Sequence, residues 1–220
     1  LFADGYLPQP LTFAAAIAAR TRRVRIGTAI VVAPLHHPVE LAEQAAVVDI
    51  LSGGRLDLGL GAGYLDAEYA LFGADPARKG AATFDTVAAL RRIWAEGRVT
   101  PPPVQKRLPI WIGAGSTKSA RRSGLAGEGL LRVAPGLVDA YLGGLEEGGH
   151  GRDAARMAGP INCFLTDDPE RDWPVVAPHV GYQWTSYAMA REGISYERAE
   201  IDPDAWRARG IEQGATSGFL

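Results

Sequence analysis

Apolar, β-branched runs alternate along this chain with segments whose apolar residues recur every three or four positions. The first clear run, residues 24–32, is broken only by Arg25, Gly27 and Thr28, which predicts a strand buried on both faces of a parallel sheet. Such a strand needs a crossover. Pro38 suits the first turn of a helix, Glu40 and Glu43 lie near its positive dipole end, and Leu41, Ala45 and Val48 form one apolar stripe. Ser52-Gly53-Gly54 ends that helix. Leu56, Leu58 and Leu60 alternate with Asp57 and Gly59 as the next strand, which closes on Gly61-Ala62-Gly63-Tyr64. The result is one strand-helix-strand unit, right-handed by the general rule for parallel connections.

Residues 1–10, with Gly5, Pro8 and Pro10, read as a loop, and Thr12 caps a helix over 13–20 with Phe13, Ile17 and Ala16 toward the core. Arg20, Arg22, Arg23 and Arg25 cluster at its end, where basic side chains complement the helix dipole in solvent. Residues 65–79 read as irregular, punctuated by Gly73 and Pro76. Phe84, Val87, Leu90 and Trp94 predict a core-packing helix that Gly97 ends, and Pro101-Pro102-Pro103 a stiff, extended connection. A strand over 109–112 leads into Gly113-Ala114-Gly115-Ser116-Thr117, where Ser116 or Thr117 caps a helix through Ser123. A strand over 129–133, a helix carrying Leu137, Tyr141 and Leu145, a loop over 148–151 and a strand over 161–166 follow. Pro174 and Pro178 interrupt the aromatic-rich stretch 173–189, which predicts a kinked or divided helix; signals over 191–220 are weak. Five or six strands alternating with helices give an α/β architecture.

At 220 residues and 47% hydrophobic, the chain can bury a substantial core, and one domain over 1–220 is the simplest organisation. A formal net charge of -2 offers no broad electrostatic footprint for nucleic acid or a membrane surface. Cys163, the single cysteine, allows no internal disulfide and no thiol cluster for zinc, and His150 and His179 lack metal-site spacing. Residues 59–63 lack the G-x-G-x-x-G spacing of a dinucleotide fold, and no P-loop sequence occurs. With no uninterrupted apolar stretch of about 18 residues and no signal peptide, a cytoplasmic location is expected.

Three glycine-rich strand ends stand out, over 28–34, 61–64 and 113–117. Glycines there suit either tight turns or the close approach of a flat ring or a phosphate. Free N–H groups at the start of the helix after Gly115 would suit a phosphate. His37 reads as a hydrogen-bonding group at a helix start rather than an acid or base, and no catalytic residue is identified.

Residues 27–64, with Gly27-Thr28-Ala29, His37-Pro38, Leu51-Ser52-Gly53-Gly54-Arg55 and Gly61-x-Gly63, resemble the luciferase-like monooxygenases, the family of bacterial luciferase and its flavin- or deazaflavin (F420)-dependent relatives. The resemblance runs from about Leu11 to Met189. It implies a (β/α)8 TIM-barrel type fold, incomplete at both ends, because such barrels usually need about 250 residues. Exposed sheet edges would then favour pairing with another chain, including a homo-oligomer. The resemblance further implies FMN, with F420 as the alternative. The ring would lie against Ala29 and Ile30, beside a non-prolyl cis peptide, with Gly61, Gly63 and Tyr64 at its border and Gly113, Gly115, Ser116 and Thr117 toward the phosphate. Reduced FMN from a flavin reductase would activate oxygen for insertion into a small organic substrate; F420 would instead support hydride transfer. A flavin-binding or structural barrel remnant without turnover is the reading from another class. Bacterial luciferase has an arginine where this chain has Ala62, so light emission is not implied.

Overall fold

Leu56, Leu58, Leu60 and Ile110 are wholly buried, and they belong to the parallel strands around which the chain folds. The computed structural model describes residues 9–159, 164–192 and 196–212. Two compact units emerge, Leu1–Gly159 and Pro160–Leu220. In the first, α1 (Pro10–Arg20) is followed by β1 (Ile26–Gly27) and β2 (Val31–Val32), and α2 (Pro38–Ser52) crosses to β3 (Leu56–Gly61). Then come α3 (Asp66–Leu71), α4 (Lys79–Ala95), β4 (Ile110–Gly113), α5 (Thr117–Leu125), β5 (Gly129–Leu130) and α6 (Pro135–Glu147). All pairings are parallel, in the order β1-β3-β4-β5, with β2 also on β3.

The helices cover the sheet as their stripes predict. Leu41, Ala45 and Val48 of α2 and Phe84, Val87 and Leu90 of α4 join the strand leucines in one core, with Trp94 packed beside it. Trp94 also donates its indole N–H to the Ala42 carbonyl at 3.1 Å, pinning α4 to α2. A smaller cluster of Leu130, Tyr141 and Leu145 seats α6 near β5.

Several expectations need correction. Helix α1 begins at Pro10, where a missing N–H costs nothing, so Thr12 lies inside it and cannot cap. Its buried face is accordingly Leu11, Ala14 and Ala18, while Phe13 is exposed. The run 24–32 is not one strand but two short ones, for a reason described below. Residues 65–79 are more ordered than expected, because Asp66 and Glu68 favour the first turn of α3 and Tyr69 is buried. Strand β5 stops at Leu130; Arg132 and Val133 are exposed. The next sheet position is taken by Met157, whose neighbours Arg156 and Ala158 bond to Leu130 at 2.9 Å each. Of the strand expected over 161–166, Ile161 to Cys163 lie outside the described residues, and Phe164 to Thr166 form no strand.

In the second unit α7 (Pro169–Glu192) is a single helix containing Pro174 and Pro178, so of the kinked or divided helix expected over 173–189 the division does not occur. Each proline forfeits one bond of the ladder while the remaining bonds carry the helix through. Helices α8 (Tyr196–Ala199) and α9 (Pro203–Glu212) follow where the sequence signal is weak. Trp184 stacks against Trp206 at 5.5 Å, and the buried Thr185 hydroxyl accepts the Ile201 N–H at 2.9 Å. Among the described residues, no helix is long and apolar enough to cross a membrane.

Candidate functional site

The division of the first strand builds a bulge. Gly27 pairs with Asp57 and Val31 with Leu60, so three residues, 28–30, face two, 58–59, on β3. One strand thus carries an extra residue, which breaks the ladder locally and re-aims side chains. The buried Thr28 hydroxyl takes the place of the missing ladder bonds: it donates to the Gly59 carbonyl at 2.9 Å and accepts the Gly59 N–H at 2.8 Å. The approach is so close that a Cβ on Gly59 would lie 1.8 Å from the Thr28 carbonyl oxygen. Only glycine fits.

The Ala29-Ile30 peptide within the bulge is cis. Ala29 is exposed and Ile30 half-buried. Ile30 lies across the ends of the next two strands, where a Cβ on Gly61 would come within 2.9 Å of its Cδ1 and one on Gly113 within 3.1 Å of its Cγ2. These two glycines therefore make room for Ile30, a use that spacing alone leaves indistinguishable from a turn. Gly63, with φ 64°, crowds Val32 in the same way. Ala29, Ile30, Gly61 and Gly113 are thus brought together at the carboxyl ends of the strands.

Tyr69 holds the loop beyond Gly61. Its hydroxyl donates to the Ala62 carbonyl at 2.6 Å, and burial, with Asp66 and Glu68 nearby, pushes its pKa up to about 12. It stays a donor throughout the neutral range. Tyr64 is half-buried on this loop. At the end of β4, Gly115 is exposed, with no atom within 4 Å of where a Cβ would sit. Ser116 is the cap of α5: its hydroxyl accepts the Ser119 N–H at 3.3 Å, and the Ser119 hydroxyl accepts the Ser116 N–H at 3.2 Å. Thr117 is the first helical residue and is exposed together with Lys118.

His37 caps α2, its Nδ1 accepting the Val39 N–H at 3.3 Å, as a helix-start group should. His36 lines an open cleft of about 300 Å³ with Tyr69, Asp75, Arg78 and Asp85. Burial lowers its pKa, against a smaller opposing pull from Glu40. Among the described residues no group of three His, Cys, Asp or Glu side chains stands close enough to hold a metal ion.

Sequence reasoning missed Thr28 and Tyr69 as organisers of this end. A threonine inside an apolar strand, next to glycine across the sheet, was the available signal for the first. A buried phenol one turn into a helix that follows a glycine loop leaves none in sequence.

A family model described as luciferase-like monooxygenase matches residues 1–217. The chain is 39% identical over 89 residues to 4-hydroxyprotoasukamycin monooxygenase of Streptomyces nodosus subsp. asukaensis, covering 40% of this chain and 24% of that protein. Identity is 34% over 123 residues to the oxygenase component of a flavin-dependent trigonelline monooxygenase of Acinetobacter baylyi, covering 49% and 34%. These matches span well under two thirds of either relative. A longer match, 26% over 214 residues, links the chain to an F420-dependent glucose-6-phosphate dehydrogenase of Segniliparus rotundus, covering 87% and 63%. The crystal structure of the monooxygenase RslO1 from Streptomyces bottropensis superposes with a TM-score of 0.75 at 28% identity, over 98% of this chain and 69% of that one.

Proposed function

Because the chain belongs to the luciferase-like monooxygenase family, we propose that it forms the cofactor-binding part of an oxidoreductase acting on a small organic substrate, with FMN as its cofactor. The parallel α/β sheet is part of the TIM-barrel fold of that family. The observation that carries the reading is the bulge at 28–30, which lays Ile30 across Gly61 and Gly113 and leaves Ala29 open to solvent.

The residues present fit a planar, phosphorylated group. Ala29 and Ile30 offer an apolar shelf, with Gly61, Gly63 and Tyr64 at its edge. The space at Gly115 and the start of α5 can receive a phosphate, since the first backbone N–H groups of a helix have no internal partner and the dipole favours an anion. Ser116 holds that turn rigid, and Gly113 joins it to the shelf. The cofactor supplies the redox chemistry when bound. The chain's residues bind and orient it, and Tyr69 fixes the adjoining loop through Ala62. Reduced FMN would come from a separate flavin reductase.

F420 is the second reading, favoured by the long match to an F420-dependent relative. Fluorescence and absorbance titrations with FMN and F420, oxidised and reduced, decide between them. Saturable binding of FMN near micromolar concentration is expected. Binding of F420 alone selects hydride transfer, and binding of neither by folded protein contradicts both.

A further inference from the structure

We propose that Thr28 is a positioning residue, whose hydroxyl locks the bulge so that Ala29 and Ile30 stand where the cofactor ring is received; the role rests on the cofactor reading above. Three observations converge on it. The first strand has one residue more than β3 between the Gly27–Asp57 and Val31–Leu60 pairs, so the regular register breaks after the Thr28 N–H, which donates to the Asp57 carbonyl at 3.2 Å. A single side-chain oxygen closes the gap in both directions, donating to the Gly59 carbonyl at 2.9 Å and accepting its N–H at 2.8 Å. The backbone there is pressed against Gly59, at a distance that excludes any larger residue.

The hydroxyl thereby acts as a clamp on the register. Both backbone groups of Gly59 are buried, and each needs a partner. Thr28 meets both, which leaves the strand no reason to slip by one residue. A one-residue slip would turn Ile30 away from Gly61 and Gly113, because successive strand side chains point to opposite faces. Valine has the shape of threonine without the hydroxyl, whereas serine keeps the hydroxyl and loses only a methyl group.

The test compares Thr28→Val and Thr28→Ser with the unmodified 220-residue chain. Cofactor affinity is read by titration with FMN and F420, and amide hydrogen exchange is read at residues 29–31. Ser52→Ala serves as a control, since the Ser52 hydroxyl bonds Asp49 and Arg55 at the opposite end of the sheet; temperature is adjusted so that the variants have equal folded fractions. Thr28→Val is expected to weaken cofactor binding by about tenfold or more and to speed exchange at 29–31. Thr28→Ser should restore both, and Ser52→Ala should leave both unchanged. Wild-type affinity in Thr28→Val, or equal loss in Thr28→Ser, overturns the proposal while leaving the cofactor reading intact. Should the unmodified chain bind neither cofactor, the cofactor reading fails, and unchanged exchange in Thr28→Val would then overturn the clamp as well.

Discussion

The two ends of the sheet are built from different materials. At the amino end, buried charge is held by close ionic and amide contacts. Glu128, whose side chain is 1% exposed, accepts from Arg91 at 2.7 and 2.5 Å and from Arg107 at 3.0 Å, with Arg156 at 3.7 Å. Asp49, wholly buried, accepts from the backbone and side chain of Gln105 at 2.9 and 2.8 Å. Arg55 ties the end of α1 to the end of α2 through the carbonyls of Ala18, Thr21, Val24 and Ser52. At the carboxyl end the side chains described above bond mainly to backbone, glycines replace bulk, and Ala29, Gly115, Ser116 and Thr117 face outward. The contrast teaches that the carboxyl end leaves polar groups and surface uncommitted, as the proposed cofactor site requires. Stability lies where buried charges are fully met, as in barrels whose sites gather at the carboxyl ends of the strands.

The sharpest way to break this division is Gly59→Ala, which forces a methyl group into the Thr28 carbonyl. It should cost about 3 kcal/mol or more in urea unfolding and abolish cofactor binding, because here fold and shelf share one residue. Glu128→Ala is the amino-end counterpart. Leaving its arginines without their buried partner should cost about 3 kcal/mol, yet the folded fraction should bind cofactor as before. Ser116→Ala should cost about 1 kcal/mol through loss of the helix cap, and should also weaken a phosphate-bearing cofactor more than free riboflavin. The smallest effect concerns pH. Burial lowers the His36 pKa below the ordinary 6.5, so the unfolded chain takes up that proton first as pH falls. Its contribution is fully present above pH 6.5 and is lost progressively below it. His36→Asn should flatten the acid side of a stability-against-pH curve without altering affinity at pH 8.

Much of the fold was legible because apolar spacing and burial coincide in α2, β3, α4 and β4. Leu41, Ala45 and Val48 show this in α2, and Leu56, Leu58 and Leu60 in β3. Where tertiary contact overrides local pattern, the reading slipped. The run 24–32 looks like one strand because hydropathy carries no information about register, and its extra residue is visible only against β3. Helix α1 shifted because Pro10 starts it three residues before the expected position, which moves the buried stripe from Phe13 to Leu11 and Ala14. Helix α9 went unread because its stretch has little apolar periodicity; its start, where the Asp202 carboxylate accepts the Asp204 N–H at 2.9 Å beside the first-turn Pro203, emerges only in the structure. At the site, the glycines and a cap at Ser116 or Thr117 stood out in the sequence, and the structure assigns the cap to Ser116. That Gly61 and Gly113 shelter Ile30 did not, since the contact joins residues far apart in the chain.

The most direct test of the account is a two-dimensional NMR titration of the chain with whichever of FMN and F420 binds. The account predicts that amide signals of residues 28–32, 61–64 and 113–118 shift together and saturate at one concentration, while those around Arg55, Gln105 and Glu128 stay fixed. Shifts centred on the amino end of the sheet, with the bulge unmoved, would contradict it.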